Sequence, residues 1–511
     1  MDGNDSSDET KETNGTVHSF VFENGHAPNT PIIEGPRAVK RQFYAALSAH
    51  LGAFIMATVW SWSSTALPYL RESEDLLGPI TIWDEAWIAS ITFLAGGAGS
   101  FAMGTLAQKL GLKKSLIIET VAMFVGWVGV AMATSLTEIL IGRFITGFFV
   151  AGVGVSTSLI AELSSDGRRG RLNFIFDLMF CAGVLFIYLV GTFFTWKIQA
   201  WACSGITVVF FLLLLTLHES PVSSQQKGQD IQAKKALRWA RDRENVEEEW
   251  NVIRQNVANL ENSKNSGASS SWWEQVVSTY FTKQVMKPIF LAIALQFFLQ
   301  VCGVVPIVCY AVDVFKSAGT EGVHENVSTI VLGLVNLIAT IIAFFFVDKF
   351  GRRFLMILSE LFLTITLGGL AAFLYMRDAH GYFSGQSWAY FPLVCFVVFI
   401  TFYSFGVGPL PWVLMGEILS PNAKGFSSGV VILAARAFGF LVMFFFKDMI
   451  LVVGQHGVYL FFAGVCLCGL VFSYFFIPET RKRNMEDIQT DIQQHWFFHR
   501  VKYTDSFNPN A

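Results

Sequence analysis

The sequence predicts an all-α membrane protein with twelve transmembrane helices, arranged as two six-helix halves around a central cavity. Three observations lead to this prediction. The 511-residue chain is 53% hydrophobic and only 15% charged, whereas soluble domains are closer to a quarter charged. Its apolar residues come in blocks of roughly 20, the length that a bilayer core requires. The blocks fall into two sets that share short motifs at equivalent positions.

The first set predicts an N-terminal half over residues 41–217, and the second predicts a C-terminal half over residues 287–478. The polar segment 218–286 separates them. In chain order, the predicted spans 1 to 12 are 43–68, 85–107, 115–134, 137–161, 173–195, 198–217, 287–313, 326–347, 354–376, 388–414, 427–450 and 456–477.

The segments outside the halves are polar. Residues 1–40 are acidic and poor in large apolar side chains, which is typical of disorder, and residues 479–511 form a tail. No basic stretch followed by a short apolar one opens the chain, so we expect no cleaved signal peptide. A helix is predicted over about 231–261 within the central segment, followed by a flexible linker at 262–271. The apolar face of that helix consists of Trp250, Ile253, Val257 and Leu260.

Basic residues concentrate in alternate short loops, and the positive-inside rule therefore places both termini and the central segment in the cytoplasm. We expect a multi-pass protein of the plasma membrane. The sequon Asn326-Val-Ser would then face outward as a glycosylation site. The bases that decide the orientation are Lys109, Lys113, Lys114, Arg168, Arg169, Arg171, Lys349, Arg352 and Arg353.

Several kinds of chemistry are not expected. All seven cysteines fall in apolar segments, which favours packing over disulfides. No phosphate-binding loop, metal-ligand cluster or nucleophile arrangement stands out, so we expect neither an enzyme nor a cofactor or metal. The net charge of −3 gives no indication of a nucleic-acid partner. The bilayer and a small solute are the expected partners, and we expect a monomer.

The two halves share motifs. "LAQKLGLKK" at 106–114 aligns with "FVDKFGRRF" at 346–354, with Gly111 on Gly351. In addition, Glu162 precedes Arg169-Gly170 by seven residues, as Glu417 precedes Lys424-Gly425. Parallel six-span repeats of this kind are typical of major facilitator transporters, which bind substrate near the membrane midplane between the halves.

The chain resembles the sugar porter family of the major facilitator superfamily, and within it the insect facilitated trehalose transporters. The likeness extends over about residues 40–490. The motifs that carry it are Gly142-Arg143, Glu162 with Arg169-Gly170, Glu219-Ser-Pro, Asp348 with Gly351-Arg-Arg, Gly408-Pro-Leu-Pro-Trp412 with Glu417, and Pro478-Glu-Thr480.

The resemblance implies a cytoplasmic gate in which ion pairs between helix ends hold that side closed. Alternatively, the bases only set the topology. Gln108 and Leu112 depart from the motif of the N-terminal half, so its part of the gate should be weaker. The predicted gate residues are Arg143, Glu162, Arg169, Asp348, Arg352, Arg353, Glu417 and Lys424.

Span 10 contains a predicted hinge at Gly408, Pro409 and Pro411, because proline removes helix hydrogen bonds and bends the helix. A static kink is the alternative. The resemblance implies that Trp412, directly after this break, stacks on a sugar; a purely structural tryptophan is the alternative.

A sugar site within a membrane needs amide groups that pair with hydroxyls. The resemblance assigns this role to Gln300 and Asn336, and Tyr310 is also retained. Other amides of the family are lost: they fall on Leu299 and Val305 in span 7. In span 11 the two expected asparagines fall on Ala435 and Gly439.

Two unusual charges within spans stand near the lost amides instead, Asp177 in span 5 and Arg436 in span 11. Charges at membrane depth usually pair or have a function. We hypothesise that they meet across the cavity, where they would replace the amides, bind a charged solute or lock one state. Local pairing or snorkelling of either residue is the alternative.

These observations favour a facilitative sugar transporter, for trehalose or a hexose, that works by alternating access. Span 1 contains no acid for proton coupling, and His50 alone is more often a packed residue than a relay; only Asp177 keeps proton coupling open. The alternatives are a transporter of a charged or zwitterionic solute and a non-transporting nutrient sensor on the same scaffold.

Overall fold

The structure is a computed structural model that describes residues 35–72, 80–265, 282–317, 325–380, 388, 390–420, 424–481, 483, 485–495 and 497–498. Structural statements below concern these residues. The side chains of Asp348, Lys424, Asn326 and Leu260 lie outside this description.

Helices account for nearly all of the first half, and their ends follow from local sequence. Capping boxes open two helices: Thr81 with Asp84 starts α2, and Ser135 with Glu138 starts α4. Side chains of this kind bind backbone N–H groups that lack partners within the helix. The helices are α1 Ala38–Glu72, α2 Ile82–Leu110, α3 Leu112–Met132, α4 Leu136–Val150, a 3₁₀ turn Ala151–Val153, α5 Gly154–Leu163, α6 Asp166–Asn173, α7 Ile175–Phe193 and α8 Trp196–Thr216.

The remaining helices form the central segment, the second half and the tail. They are α9 Pro221–Gln226, α10 Asp230–Arg241, α11 Glu247–Asn265, α12 Lys283–Val301, α13 Val304–Cys309, α14 Ala311–Ser317, α15 Glu325–Phe350, α16 Arg352–His380, α17 Phe391–Phe405, α18 Leu410–Ile418, α19 Lys424–Phe476 and α20 Met485–Gln494.

Eleven of these helical stretches are long and apolar enough to cross a membrane. The last, Gly425–Phe476, has 52 residues, more than twice what one crossing needs. It is broken at Gly454, where φ is +71°. The break divides it into spans 11 and 12, so the described residues contain the twelve predicted spans.

Three spans are interrupted within the membrane. Span 4 changes to a 3₁₀ turn at Ala151–Val153. Span 10 is interrupted between Phe405 and Leu410, where the hinge was predicted. Span 7 is also interrupted, at Gly303 with φ of +94°, and the sequence reasoning missed this break. An unwound segment inside a membrane is tolerated where it is buried in protein or lines a cavity.

The two halves meet along two pairs of helices. Span 2 packs along span 11, and span 5 packs along span 8. The loops with the deciding lysines and arginines lie on the membrane face that also carries the central helices, hereafter the basic face. The other side is the opposite face.

The repeat is also visible in the contacts of the basic face. In the first half, the Glu219 carboxylate accepts a hydrogen bond from the Lys113 backbone N at 2.9 Å. In the second half, the Glu479 carboxylate accepts from the backbone N of Arg353 at 3.3 Å. Each acid follows the last span of its half and caps the start of the third, where backbone N–H groups favour a negative charge.

The prediction of a single central helix at 231–261 is wrong, because the chain forms the two helices α10 and α11 there. The separation occurs at Asp242, whose φ of +53° ends α10 in a left-handed conformation. Its carboxylate pairs with Arg41 at 3.0 Å, which fixes the turn beneath span 1. The predicted apolar face is buried at Trp250, Ile253 and Val257.

The chain outside the halves differs from the predictions in detail. Helix α1 already begins at Ala38, within the segment predicted as disordered, and residues 1–34 lie outside the described residues. Helix α11 runs into the predicted linker as far as Asn265. The tail packs under the second half, where Gln489 donates to the Ile418 carbonyl at 2.9 Å. All seven cysteines are free.

Candidate substrate site and gates

An aromatic cluster lies at mid-membrane where spans 1, 2 and 5 meet. The Trp60 ring stacks on Phe93 with centroids 5.1 Å apart and contacts Phe180 edge-on at 5.5 Å. Arg436 of span 11 lies over Trp60, with its guanidinium carbon 4.7 Å from the ring centroid. The cluster therefore brings a cation from the second half onto an aromatic wall of the first.

The loss of the span 11 amides has a structural explanation. A Cβ atom built on Gly439 would lie 2.7 Å from the Phe93 ring and 3.2 Å from Gln300 Oε1. Phe93 therefore occupies the space that a longer side chain at position 439 would need. Gln300 points at the same place, so one retained amide lies beside the aromatic cluster.

Asn336 of span 8 is buried and accepts a hydrogen bond from Ser404 Oγ of span 10 at 3.0 Å. Trp412 is half-buried after the break in span 10. Sequence reasoning missed Gln296, one turn before Gln300 on the same helix face. Its side chain is fully buried and neither amide atom has a partner among the described residues. Its signal was the four-residue spacing from Gln300.

Asp177 and Arg436 do not meet, so the hypothesis of a pair across the cavity is wrong for this conformation. Asp177 lies in the first turn of α7, on span 5, which packs against span 8. Arg436 lies on span 11, which packs against span 2. Among the described residues, no ion pair joins them. The sequence placed each charge in a span but did not predict which helix each span would pack against.

An ion cluster joins the two halves at the opposite face. It consists of Arg71 and Glu85 from the first half and Asp313 and Lys447 from the second. Arg71 Nε lies 2.6 Å from Glu85 Oε1, and Arg71 Nη2 lies 2.5 Å from Asp313 Oδ2. Lys447 pairs with Glu85 and lies 3.5 Å from Asp313.

The ion cluster is partly protected from solvent, since the Glu85 side chain is only 5% exposed and that of Lys447 is 18% exposed. Ion pairs in such positions depend strongly on every partner being present. Sequence reasoning missed all four residues, although Lys447 was visible as a second base inside span 11.

Hydrogen bonds between spans 1 and 7 add to this closure. Ser63 Oγ donates to the Cys309 carbonyl at 3.1 Å, and Ser64 Oγ accepts from Val312 N at 3.4 Å. Tyr310 belongs to this region rather than to the surroundings of Gln300. Its ring stacks on Phe446 at 5.4 Å and lies under Lys447.

Three of the predicted gate residues at the basic face contact their own half or the segments that follow it. Arg352 pairs with Glu417 at 3.5 Å. Glu162 accepts a hydrogen bond from Ser220. Arg353 donates to the carbonyls of Phe498 and Tyr474. Arg169 is half-buried in α6. The halves still touch here through Phe174 and Phe344, whose rings lie 4.3 Å apart.

Arg143 is not part of a gate at the basic face, and its assignment is corrected. It lies 19 residues before Glu162, roughly 28 Å along the helix at 1.5 Å per residue, near the opposite face. Its buried guanidinium donates to the carbonyls of Ile88 at 3.2 Å and Val59 at 2.5 Å. It therefore fixes span 4 against spans 1 and 2.

The remaining predicted positions are at helix ends and breaks. Gly408 and Pro409 lie in the interruption of span 10, and Pro411 lies in the first turn of α18. Asn326 lies in the first turn of α15.

The comparisons with known proteins agree with this architecture. The sequence model of the family described as "Sugar (and other) transporter" matches residues 48–492. The chain belongs to the sugar transporter family. It is a multi-pass membrane protein with the twelve-helix major facilitator fold, as its sequence predicted.

Curated relatives include insect proteins named facilitated trehalose transporter. The one from Culex quinquefasciatus is 31% identical over 88% of this chain and 85% of its own length. A homologue from Drosophila simulans is 32% identical over 89% of this chain and 92% of its own. The chain spans only 55% of the relative of the same name from Aedes aegypti.

Solved structures show the same fold. The partially occluded inward-open xylose transporter XylE from E. coli aligns with a TM-score of 0.70 at 21% identity, over 87% of this chain and 100% of its own. The proton:xylose symporter XylE bound to a bromodeoxyglucose aligns with a TM-score of 0.71 over 88% of this chain and 99% of its own.

Proposed function

We propose that the protein is a sugar uniporter for trehalose or a hexose, and that it works by alternating access between its two halves. The observation that carries the proposal is the position of the helix breaks. Span 7 is interrupted at Gly303, three residues after Gln300, and span 10 is interrupted just before Trp412. Broken helices at a site between repeats are how such transporters bind substrate and move around it.

In this cycle the structure corresponds to a state closed at the opposite face. The ion cluster and the hydrogen bonds between spans 1 and 7 support this assignment, because they join the two halves at the opposite face. The ion pairs of Arg352 and Glu417 stay within the second half, so they do not prevent opening at the basic face. Sugar binding at Gln300, Asn336 and Trp412 would favour the transition between the two states.

Facilitated diffusion is favoured over proton coupling. Over Trp60–Pro68, beside the aromatic cluster, span 1 contains no acid. His50 is fully buried, and its Nδ1 lies 3.2 Å from Ser156 Oγ, an arrangement suited to packing. Asp177 lies in the first turn of α7 rather than on span 1.

The orientation follows from the same bases. We propose that the basic face is cytoplasmic, with both chain termini on that side, and that the protein resides in the plasma membrane. Asn326 then lies at the outer face, where a glycan could be attached.

Uptake into proteoliposomes tests the proposal. Labelled trehalose and labelled glucose are supplied separately at equal pH inside and outside. Saturable entry of one of them without any ion gradient is the expected result. Entry that requires a proton gradient would contradict the uniport mechanism, and no entry of either sugar from folded protein would contradict the proposed substrate class.

A further inference from the structure

Arg436 places an unpaired cation at mid-membrane between the two halves. It follows Lys424, the first residue of α19, by twelve positions, roughly 18 Å at 1.5 Å per residue. In the part of the chain that the structure describes, its buried Nε has no hydrogen-bond partner. Among the described residues, no carboxylate forms an ion pair with it, and the Trp60 ring is its charge-stabilising contact.

This arrangement is unusual for a structural arginine. Arg143, on span 4 of the same protein, is fully buried and donates to two backbone carbonyls. Arg436 has no such acceptor within the described ranges, and its side chain is only partly buried. A charge at membrane depth normally faces water or binds a partner. The cation–π contact lowers the cost of the charge but leaves the guanidinium without an anion.

Two glycines of span 2 and the ring of Trp60 lie beside the Arg436 side chain. A Cβ built on Gly97 of span 2 would lie 3.5 Å from Arg436 Cβ, and one built on Gly96 would lie 3.9 Å from Nε. Both are ordinary contact distances, so the Arg436 side chain packs along span 2. The ring of Trp60 stacks on Phe93, and the Gln300 amide lies near Phe93 at Gly439.

We propose that Arg436 is an anion-recognition residue of the substrate site, and that the protein accepts a monosaccharide bearing a carboxylate or a phosphate as well as neutral sugars. The planar guanidinium matches either group through two parallel hydrogen bonds. Asp177, an acid within the spans, lies on the other side of the interface, next to span 8. The inference rests on the proposed function, since it uses the same cavity and the same cycle.

Competition in proteoliposomes tests the inference. Uptake of labelled glucose is measured against unlabelled glucose, glucuronate and glucose 6-phosphate, and the two acids separate carboxylate from phosphate recognition. In the unmodified protein at least one acid should compete. In Arg436→Gln, the concentration of that acid that gives half-inhibition should rise about tenfold or more, as expected for a lost charged pair. The concentration of unlabelled glucose that gives half-inhibition should change less than about threefold.

Two further variants complete the design. Arg436→Lys keeps the charge but loses the planar fork, so it should give an intermediate value for the acid. Lys197→Gln removes another base that lies over a tryptophan, 5.2 Å from the Trp196 ring at the start of span 6. This control should change the half-inhibiting concentration of neither the acid nor glucose. Thermal unfolding of each variant shows whether it is folded.

The inference is overturned if neither acid competes in the unmodified protein at concentrations where glucose does. It is also overturned if Arg436→Gln weakens the inhibition by glucose and the inhibition by the acid equally, since Arg436 would then only support the Trp60 ring. If labelled glucose does not enter at all, the proposed function fails instead. Direct uptake of labelled glucuronate, with and without Arg436→Gln, then decides the inference separately.

Discussion

At the scale of single residues, we propose that Gln300 is the amide on which substrate binding depends most. It lies near the end of α12, directly before the turn at Gly303, and its Oε1 faces the space beside Gly439. The last carbonyls of a helix lack partners within that helix. Gln300 is therefore buried, close to Phe93 of the first half and next to a break in the backbone.

Replacing Gln300 by alanine should reduce sugar uptake at low substrate concentration by about three- to tenfold, the effect of one lost hydrogen bond of about 0.5–1.5 kcal/mol. Concentration-dependent uptake measures it. Gln284→Ala, on the exposed side of the same helix, is the matched control and should leave uptake unchanged. Equal uptake by both variants would exclude Gln300 from the site.

Arg143→Ala should destabilise the protein rather than alter sugar specificity. The substitution removes two buried hydrogen bonds from a charged donor, to the carbonyls of Val59 and Ile88, at about 1.5–3 kcal/mol each. Thermal unfolding in detergent measures the effect, and Arg254→Ala on an exposed side of α11 serves as control. A normal unfolding temperature together with a changed substrate range would restore Arg143 to the functional site.

Candidate site residues were easier to select from the sequence than the residues that surround them in the fold. Gln300, Asn336 and Trp412 were recognised because the motifs around them are distinctive. The separation of Asp177 from Arg436 and the position of Tyr310 beside Lys447 were not predictable, since both depend on which spans pack together. Phe93 shows the same limit: only the structure reveals that its ring fills the space at Gly439.

At the scale of helices, the interruptions of spans 7 and 10 distinguish this molecule from a bundle of straight helices. The break in span 10 could be predicted from its prolines. The break in span 7 could not, because Gly303 is followed by Val304 and Val305, which gave no turn signal. Its positive φ, which glycine tolerates best, becomes apparent only in the structure.

The double variant Pro409→Ala with Pro411→Ala should slow transport while leaving the half-saturating sugar concentration within about twofold, if the break acts as a hinge. Initial rates over a range of sugar concentrations separate the two quantities. Pro392→Ala, at the start of the same span, should have no effect, because proline in the first turn of a helix does not interrupt it. An unchanged maximal rate in the double variant would favour a static kink.

The ion cluster makes a prediction about the relative position of the halves. Asp313→Asn removes one of the two acids that Arg71 and Lys447 share, so the opposite face should open more often. The buried thiol of Cys309 should then react faster with a polar thiol reagent, by about tenfold for a shift of 1.4 kcal/mol.

Site-resolved mass spectrometry of the labelled protein measures this rate. Cys203, buried within the first half, is the internal control and should react equally slowly in both proteins. If Cys309 reacts no faster in Asp313→Asn, the ion cluster does not hold that face closed.

At the scale of the whole molecule, the internal repeat was visible in the sequence and recurs in the structure. The aligned loops both turn at a glycine with positive φ, +104° at Gly111 and +85° at Gly351. The capping acids Glu219 and Glu479 were recognised as motif residues, but their role as helix caps was not predicted. They lie far along the chain from the helices they cap, and only the fold brings them there.

The number of spans was predictable because the length of each apolar block is set by the bilayer. The central helices were less predictable, since their boundaries depend on contacts with span 1: the turn at Asp242 is fixed by Arg41. The conformational state was not predictable at all, because one sequence encodes every state of the cycle. The ion cluster supplies that information.

Counterflow in proteoliposomes tests the central claim most directly. Vesicles loaded with unlabelled sugar are diluted into a trace of the labelled sugar at equal pH on both sides. A uniporter with alternating access predicts a transient accumulation of label above the external concentration, which decays as the internal sugar leaves, and no such peak in empty vesicles. Equal uptake by loaded and empty vesicles, or accumulation only under a pH gradient, would contradict the account.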